Sequence, residues 1–113
     1  MAARSKPVTL TDENFHCEVL EGTKLALVVF SADWCGSCHI MAPVIEELAS
    51  HFQGQVKVGK LDIDHNPRIA AQYGIPSTPI LLFFKDGHVV DQVVGVESKR
   101  VLAGKLHNLL QRA

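Results

Sequence analysis

At 113 residues, 47% of them hydrophobic and 20% charged, the chain is long enough for one domain with a real core, spanning residues 1–113, and too short for two comfortable ones. That composition excludes disordered and fibrous classes. A net charge of −1, with Lys and Arg nowhere clustered, excludes the basic footprint of a nucleic-acid binder.

Pro7 to Leu10 reads as a short extended start. Thr11, followed by Asp12 and Glu13, reads as an N-cap with acids in the first turn, opening a helix that carries Phe15 and Val19 on one face and ends at Gly22. Leu25 to Phe30 is a continuous apolar, β-branched-rich run, the pattern of a central strand buried on both faces of a parallel sheet. Cys38, Met41, Ile45, Leu48 and Phe52 then form an apolar stripe down one side of a helix. Val56 to Ile63 is a second strand, after which Asn66-Pro67 supplies an N-cap and a first-turn proline for a short helix stopped at Gly74. Ile80 to Phe84, the turn Lys85-Asp86-Gly87 and Val89 to Val94 carry a hairpin signal. Ser98 caps a last amphipathic helix using Val101, Leu102, Leu106, Leu109 and Leu110. The order β-α-β-α-β-α-β-β-α gives an α/β layered sheet with helices on both faces and an antiparallel pair at one side.

The longest apolar segment, Leu25 to Phe30, is far too short to span a bilayer, and MAARSKPVTL at the N-terminus lacks an apolar run of signal-peptide length. A cytoplasmic protein without a membrane partner is expected. Three cysteines do not make a disulfide framework, and two of them lie in one CxxC, which in a reducing compartment points to redox or metal chemistry.

The CxxC sits in "WCGSCH", Trp34 to His39. Read alone, this stretch spells a c-type haem attachment site, half of a zinc site or a dithiol switch. Haem suits a helical pocket with a distal ligand, and no methionine follows Met41; zinc wants a second cysteine pair, which is missing. The dithiol reading accounts for position as well as spacing, because the pair follows a central strand and opens a helix, where sites of α/β sheets gather. At a helix N-terminus, unpaired N–H groups and the dipole stabilise a thiolate, making Cys35 the nucleophile. Cys38, one turn inward, then resolves the mixed disulfide. The redox-active Cys35–Cys38 pair is expected to work with no metal and no bound cofactor.

"SADWCGSCHIMAPVIEELA", "VGKLDIDHNPRIAAQYGI", "STPILLFFKDG" and "VVGV" together closely resemble the thioredoxin family over essentially the whole chain. The resemblance implies the thioredoxin fold, a central mixed five-stranded sheet flanked by four helices, and protein-disulfide reductase activity. It also implies a cis bond at Thr78-Pro79, substrate backbone pairing with Thr78, and a flat apolar rim of Trp34, Gly36, Pro79, Val94, Gly95 and Val96. Asp64 matches the position that orients the tryptophan, and Pro43 is expected to kink its helix. By the same resemblance the protein is a monomer that acts on protein disulfides and takes electrons from an NADPH-dependent flavoprotein, a thioredoxin reductase.

Four residues depart from the family pattern. Ser37 replaces the usual proline, adding an N–H and a hydroxyl near the thiolate and suggesting a more oxidising disulfide. His39 puts an imidazole where lysine is common. Val29 occupies the place of a buried acid beneath the second cysteine, which leaves Lys60 without its usual partner and the resolving thiol without an obvious base. Ser31 replaces an aromatic residue. Ser37 makes a disulfide oxidase or isomerase the alternative activity, and a non-catalytic binding or assembly module the alternative of another class. Cys17, about 200° around an ideal helix from Phe15, is expected off the buried face, as an inert thiol.

Overall fold

A computed structural model describes residues 6–112; most of the N-terminal stretch read for a signal peptide lies outside the described residues. Five strands form one mixed sheet in the order β1-β3-β2-β4-β5. They are β1 (Val8–Leu10), β2 (Leu25–Ser31), β3 (Val56–Asp62), β4 (Ile80–Lys85) and β5 (His88–Val94). β2 runs parallel to β3 and antiparallel to β4, and β3 also pairs in parallel with β1. The helices are α1 (Gly36–His51), α2 (Pro67–Gln72) and α3 (Lys99–Gln111), preceded by a single π-helical turn, His16–Leu20.

The alternation of β2 divides the core. Leu25, Leu27 and Val29 pack with Met41, Ile45 and Leu48 of α1 and with Leu102, Leu106 and Leu109 of α3. Ala26, Val28 and Phe30 face the other side, against Phe15, Val19, Ile69 and Leu82. A strand with helices on both faces has no solvent side, which is why its sequence is apolar throughout.

Several ends differ from the sequence reading. Thr11 and Asn14 cap each other reciprocally, Asn14 N–H to Thr11 Oγ1 at 3.0 Å and Thr11 N–H to Asn14 Oδ1 at 2.7 Å, a capping box built with asparagine. Asn66 does not cap α2. Its side chain accepts from Asp12 N–H at 3.0 Å and donates to the Asp62 carbonyl at 3.1 Å. Asp12 caps α2 instead, accepting from Arg68 and Ile69 N–H at 3.2 and 2.9 Å. β3 stops at Asp62, and Val101 of α3 is exposed rather than part of the apolar face. The hairpin turns through Asp86 and Gly87, both at positive φ, the geometry that matches strand twist. A side chain at Gly87 would also meet the Leu20 carbonyl at 3.0 Å.

Asp91 of β5 and Lys105 of α3 form an ion pair at 3.0 Å. Burial pushes the Asp91 carboxyl up, but the Lys105 hydrogen bond, the Gln92 N–H and the charges of Lys105 and Arg112 outweigh it and hold it below its ordinary value. A carboxyl depressed in the folded state contributes stability above its unfolded value, lost as pH falls through the folded one. Because both side chains are 34% exposed, screening keeps the effect small. Asp91→Asn is expected to lower stability by less than about 1 kcal/mol at pH 7, with the deficit shrinking below about pH 4. Urea unfolding at pH 7 and pH 3 checks this; an equal deficit at both would assign the loss to packing.

Candidate active site

Register collects the site at one end of the sheet. Ile80 lies opposite both Phe30 and Val94, and Ser31 opposite Asp62. The loop after β2, the Thr78-Pro79 segment before β4, Val94 at the end of β5 with residues 95–96 after it, and the turn that leaves β3 at Asp62 therefore share that edge.

Cys35 occupies the N-cap of α1 with extended backbone, φ −91° and ψ 107°. Its sulfur accepts a hydrogen bond from Cys38 N–H at 3.1 Å, the place a serine or aspartate oxygen takes at other helix starts. No acid lies in the first turn of α1, so nothing there opposes the preference of a helix N-terminus for a negative sulfur. The two cysteines are joined as a disulfide with Cα atoms 5.3 Å apart. Cys35 and Cys38 are only 6% and 9% exposed and pack with Ala32 and Ile63.

Around them, Trp34 is 68% exposed, its indole N–H donating to Asp64 Oδ2 at 2.7 Å. Asp62 Oδ1 accepts from the N–H of Asp64 at 2.8 Å and of His65 at 3.0 Å, which fixes the turn carrying that carboxylate. The Thr78-Pro79 bond is cis, and Gly95 N–H donates to the Pro79 carbonyl at 2.9 Å. Gly95 adopts φ +88°, a conformation open to glycine. Glu97 N–H donates to Met41 Sδ at 3.4 Å, tying the 94–97 segment to α1. Among the described residues the Thr78 N–H and carbonyl have no hydrogen-bond partner, and its hydroxyl is buried without one. Gly36, Val94 and Val96 are exposed, whereas Pro79 is buried beneath the surface it was expected to form.

The departures from pattern are also visible. Ser37 is exposed and its hydroxyl makes no hydrogen bond to Cys35; the bond to that sulfur comes from Cys38 N–H. His39 is exposed, its Nε2–H donating to the Asp33 carbonyl at 2.8 Å. Lys60 stands opposite Val29 in the β2–β3 register and, with Val29, Ser31 and Cys38, lines a cavity of about 70 Å³. It has no ion pair with Asp62 or Asp64. Cys17 is exposed and free.

Ile40, outside the rim that the resemblance implies, is 65% exposed two positions after Cys38. The signal was available: an apolar residue on α1 that falls off the buried stripe. Among the described residues no group of three His, Cys, Asp or Glu side chains is arranged to hold a metal, and no helix is long and apolar enough to cross a membrane.

The thioredoxin family model matches residues 6–108. The chain is 51% identical over 96 residues to thioredoxin 2 of Chlorobaculum tepidum, covering 85% of this chain and 88% of that protein. It is 49% identical over 102 residues to thioredoxin 1 of Synechococcus elongatus, with 90% and 95% covered. It is 45% identical over 104 residues to the thioredoxin of Alicyclobacillus acidocaldarius, with 92% and 98% covered.

Proposed function

The chain belongs to the thioredoxin family and is a thiol–disulfide oxidoreductase, and from that premise we propose that Cys35 is its nucleophile and Cys38 its resolving thiol. The Cys35 thiolate attacks a sulfur of a substrate disulfide, forming a mixed disulfide and releasing one substrate thiolate. Cys38 loses its proton and attacks Cys35, closing the Cys35–Cys38 bond and releasing the second substrate thiolate. Two electrons pass to the substrate, and a reductase returns them.

The observation that carries this reading is Cys35 at the N-cap of α1, its sulfur already receiving an N–H from the helix. The unpartnered Thr78 backbone suits an extended substrate peptide, which would add main-chain hydrogen bonds there. Trp34, Gly36, Ser37, Ile40, Val94, Gly95 and Val96 supply the docking surface over Pro79, and Asp64 orients the indole. His39 and Lys60 are auxiliary.

We read residues 1–113 as one domain, a monomer in the cytoplasm that works on protein disulfides and draws on a thioredoxin reductase. A reducing compartment provides the electron pool such a dithiol needs. No bound cofactor, nucleic acid or membrane enters the reading. Reduction of insulin in the presence of NADPH and a thioredoxin reductase tests it; no turnover with either a bacterial or a eukaryotic reductase would overturn the reductase assignment.

Ser37 favours a second possibility, net oxidation or isomerisation. It is the second residue of α1, where the backbone N–H has no intrahelical partner and adds a donor that proline lacks. The potential is therefore expected above the roughly −270 mV of a typical thioredoxin, and lower in Ser37→Pro. Equilibration with glutathione measures both, and a value at or below that figure would sink the expectation.

A further inference from the structure

Val29 and Ser31 lie on the face of β2 turned toward α1, and Lys60 is in register with Val29 on β3. Both β2 residues are short, and the space they leave is the cavity of about 70 Å³ that reaches Cys38. A void of that size holds more than one water when polar groups line it. Ser31, Asp33 and Lys60 also line a second, outer groove of about 370 Å³, completed by Lys6, Pro7, Thr9, Glu46 and Asp62. The resolving cysteine thus has an opening behind it whose walls are shared with a solvent groove.

The charges facing the cavity are few. Asp33 and His39 come from the loop and first turn before and along α1, and Lys60 comes from β3. Asp33 is exposed, and the His39 ring is engaged with the Asp33 carbonyl. Outside the strand ladder the Lys60 ammonium has no hydrogen bond or ion pair among the described residues, whereas Lys57, Lys99 and Lys105 each hold a carboxylate at 3.0 to 3.2 Å. Lys6, Glu46 and Asp62 face only the outer groove.

We propose that Lys60 is the positioning residue of the resolving step: its unpaired ammonium stabilises the Cys38 thiolate across the cavity, and the Ser31–Asp33–Lys60 opening passes the Cys38 proton to solvent. The proposal rests on the reading of Cys38 as the resolving thiol. Where the family pattern supplies a buried acid to accept the proton, this chain supplies a cation that favours its loss and water that removes it. Cys38 S–H gives its proton to cavity water. The thiolate attacks the Cys35 sulfur, the Cys35–Cys38 bond forms, the Cys35–substrate bond breaks, and the electron pair leaves on the substrate sulfur, which is protonated by solvent. The substrate disulfide is the oxidant.

The test follows the reduced protein, with Cys17→Ser in every variant to remove the exposed free thiol, in excess over a chromogenic aromatic disulfide by stopped flow, where Cys35 attack and Cys38 resolution release one coloured thiolate each. Lys60→Gln is expected to leave the first phase unchanged and slow the second about tenfold at pH 7, because the Cys38 thiolate loses the cation facing it. The gap should close toward about pH 10, where the thiol ionises unaided. Lys60→Arg should keep most of the rate. An unchanged second phase in Lys60→Gln, or a slowing by the same factor at every pH, would overturn the proposal. Release of both thiolates by Cys38→Ser would instead overturn the assignment of Cys38, independently of Lys60.

Discussion

Replacing Cys35 with serine is expected to abolish disulfide reduction, a loss of at least about a thousandfold, because the hydroxyl is neither ionised near neutrality nor able to form a disulfide. Nothing nearby takes over. Cys38 is itself buried, and Cys17 is exposed on the separate His16–Leu20 turn. Cys38→Ser should behave differently, completing one exchange and then accumulating protein joined to substrate through Cys35, visible as an added mass that a reducing agent removes. Substrate captured instead by the Cys35→Ser variant would reverse the two roles. The double serine variant separates chemistry from adhesion, since a binding or assembly module would keep its partners while losing no activity.

Val29→Asp should accelerate the resolving step at pH 7 by tenfold or more, since a positioned base typically contributes about 10² or more. The side chain enters a site of suitable size: valine and aspartate are similar in volume, Val29 is 3% exposed, and the cavity with Lys60 lies beside it. Two effects oppose each other. The carboxylate accepts the Cys38 proton directly, but it also neutralises the Lys60 field that favours the thiolate. Acceptance at the thiol itself should dominate, because it removes the proton within the step. The same change should cost about 1–3 kcal/mol of stability through desolvation of the acid, read by urea unfolding. A second phase no faster than that of the unsubstituted protein at pH 7 would remove Val29 from the account of proton transfer.

Much of this was legible because the signals were redundant. The Leu25–Phe30 run required cover on both faces, and the alternation of Leu25, Leu27 and Val29 with Ala26, Val28 and Phe30 provides it. The CxxC was readable because its spacing, the preceding strand and the following stripe all demand one placement. The cap of α2 was not, since Asp12 is 57 residues from the Ile69 N–H it accepts. Local sequence favoured Asn66, which was already engaged in linking Asp12 to Asp62. The opening behind Cys38 was hidden for a related reason. Val29 and Ser31 announce that side chains are small, but register with Lys60 decides where the missing volume lies.

The two faces of Cys38 open toward different edges of the sheet. The groove behind it is walled partly by β1, while residues 94–96, over which substrate would lie, begin at the last residue of β5 at the opposite edge. Electrons and protons need not share an exit. A broad protein substrate can lie over the disulfide through both exchanges, sealing that surface from water, while the proton drains through the far side of the molecule.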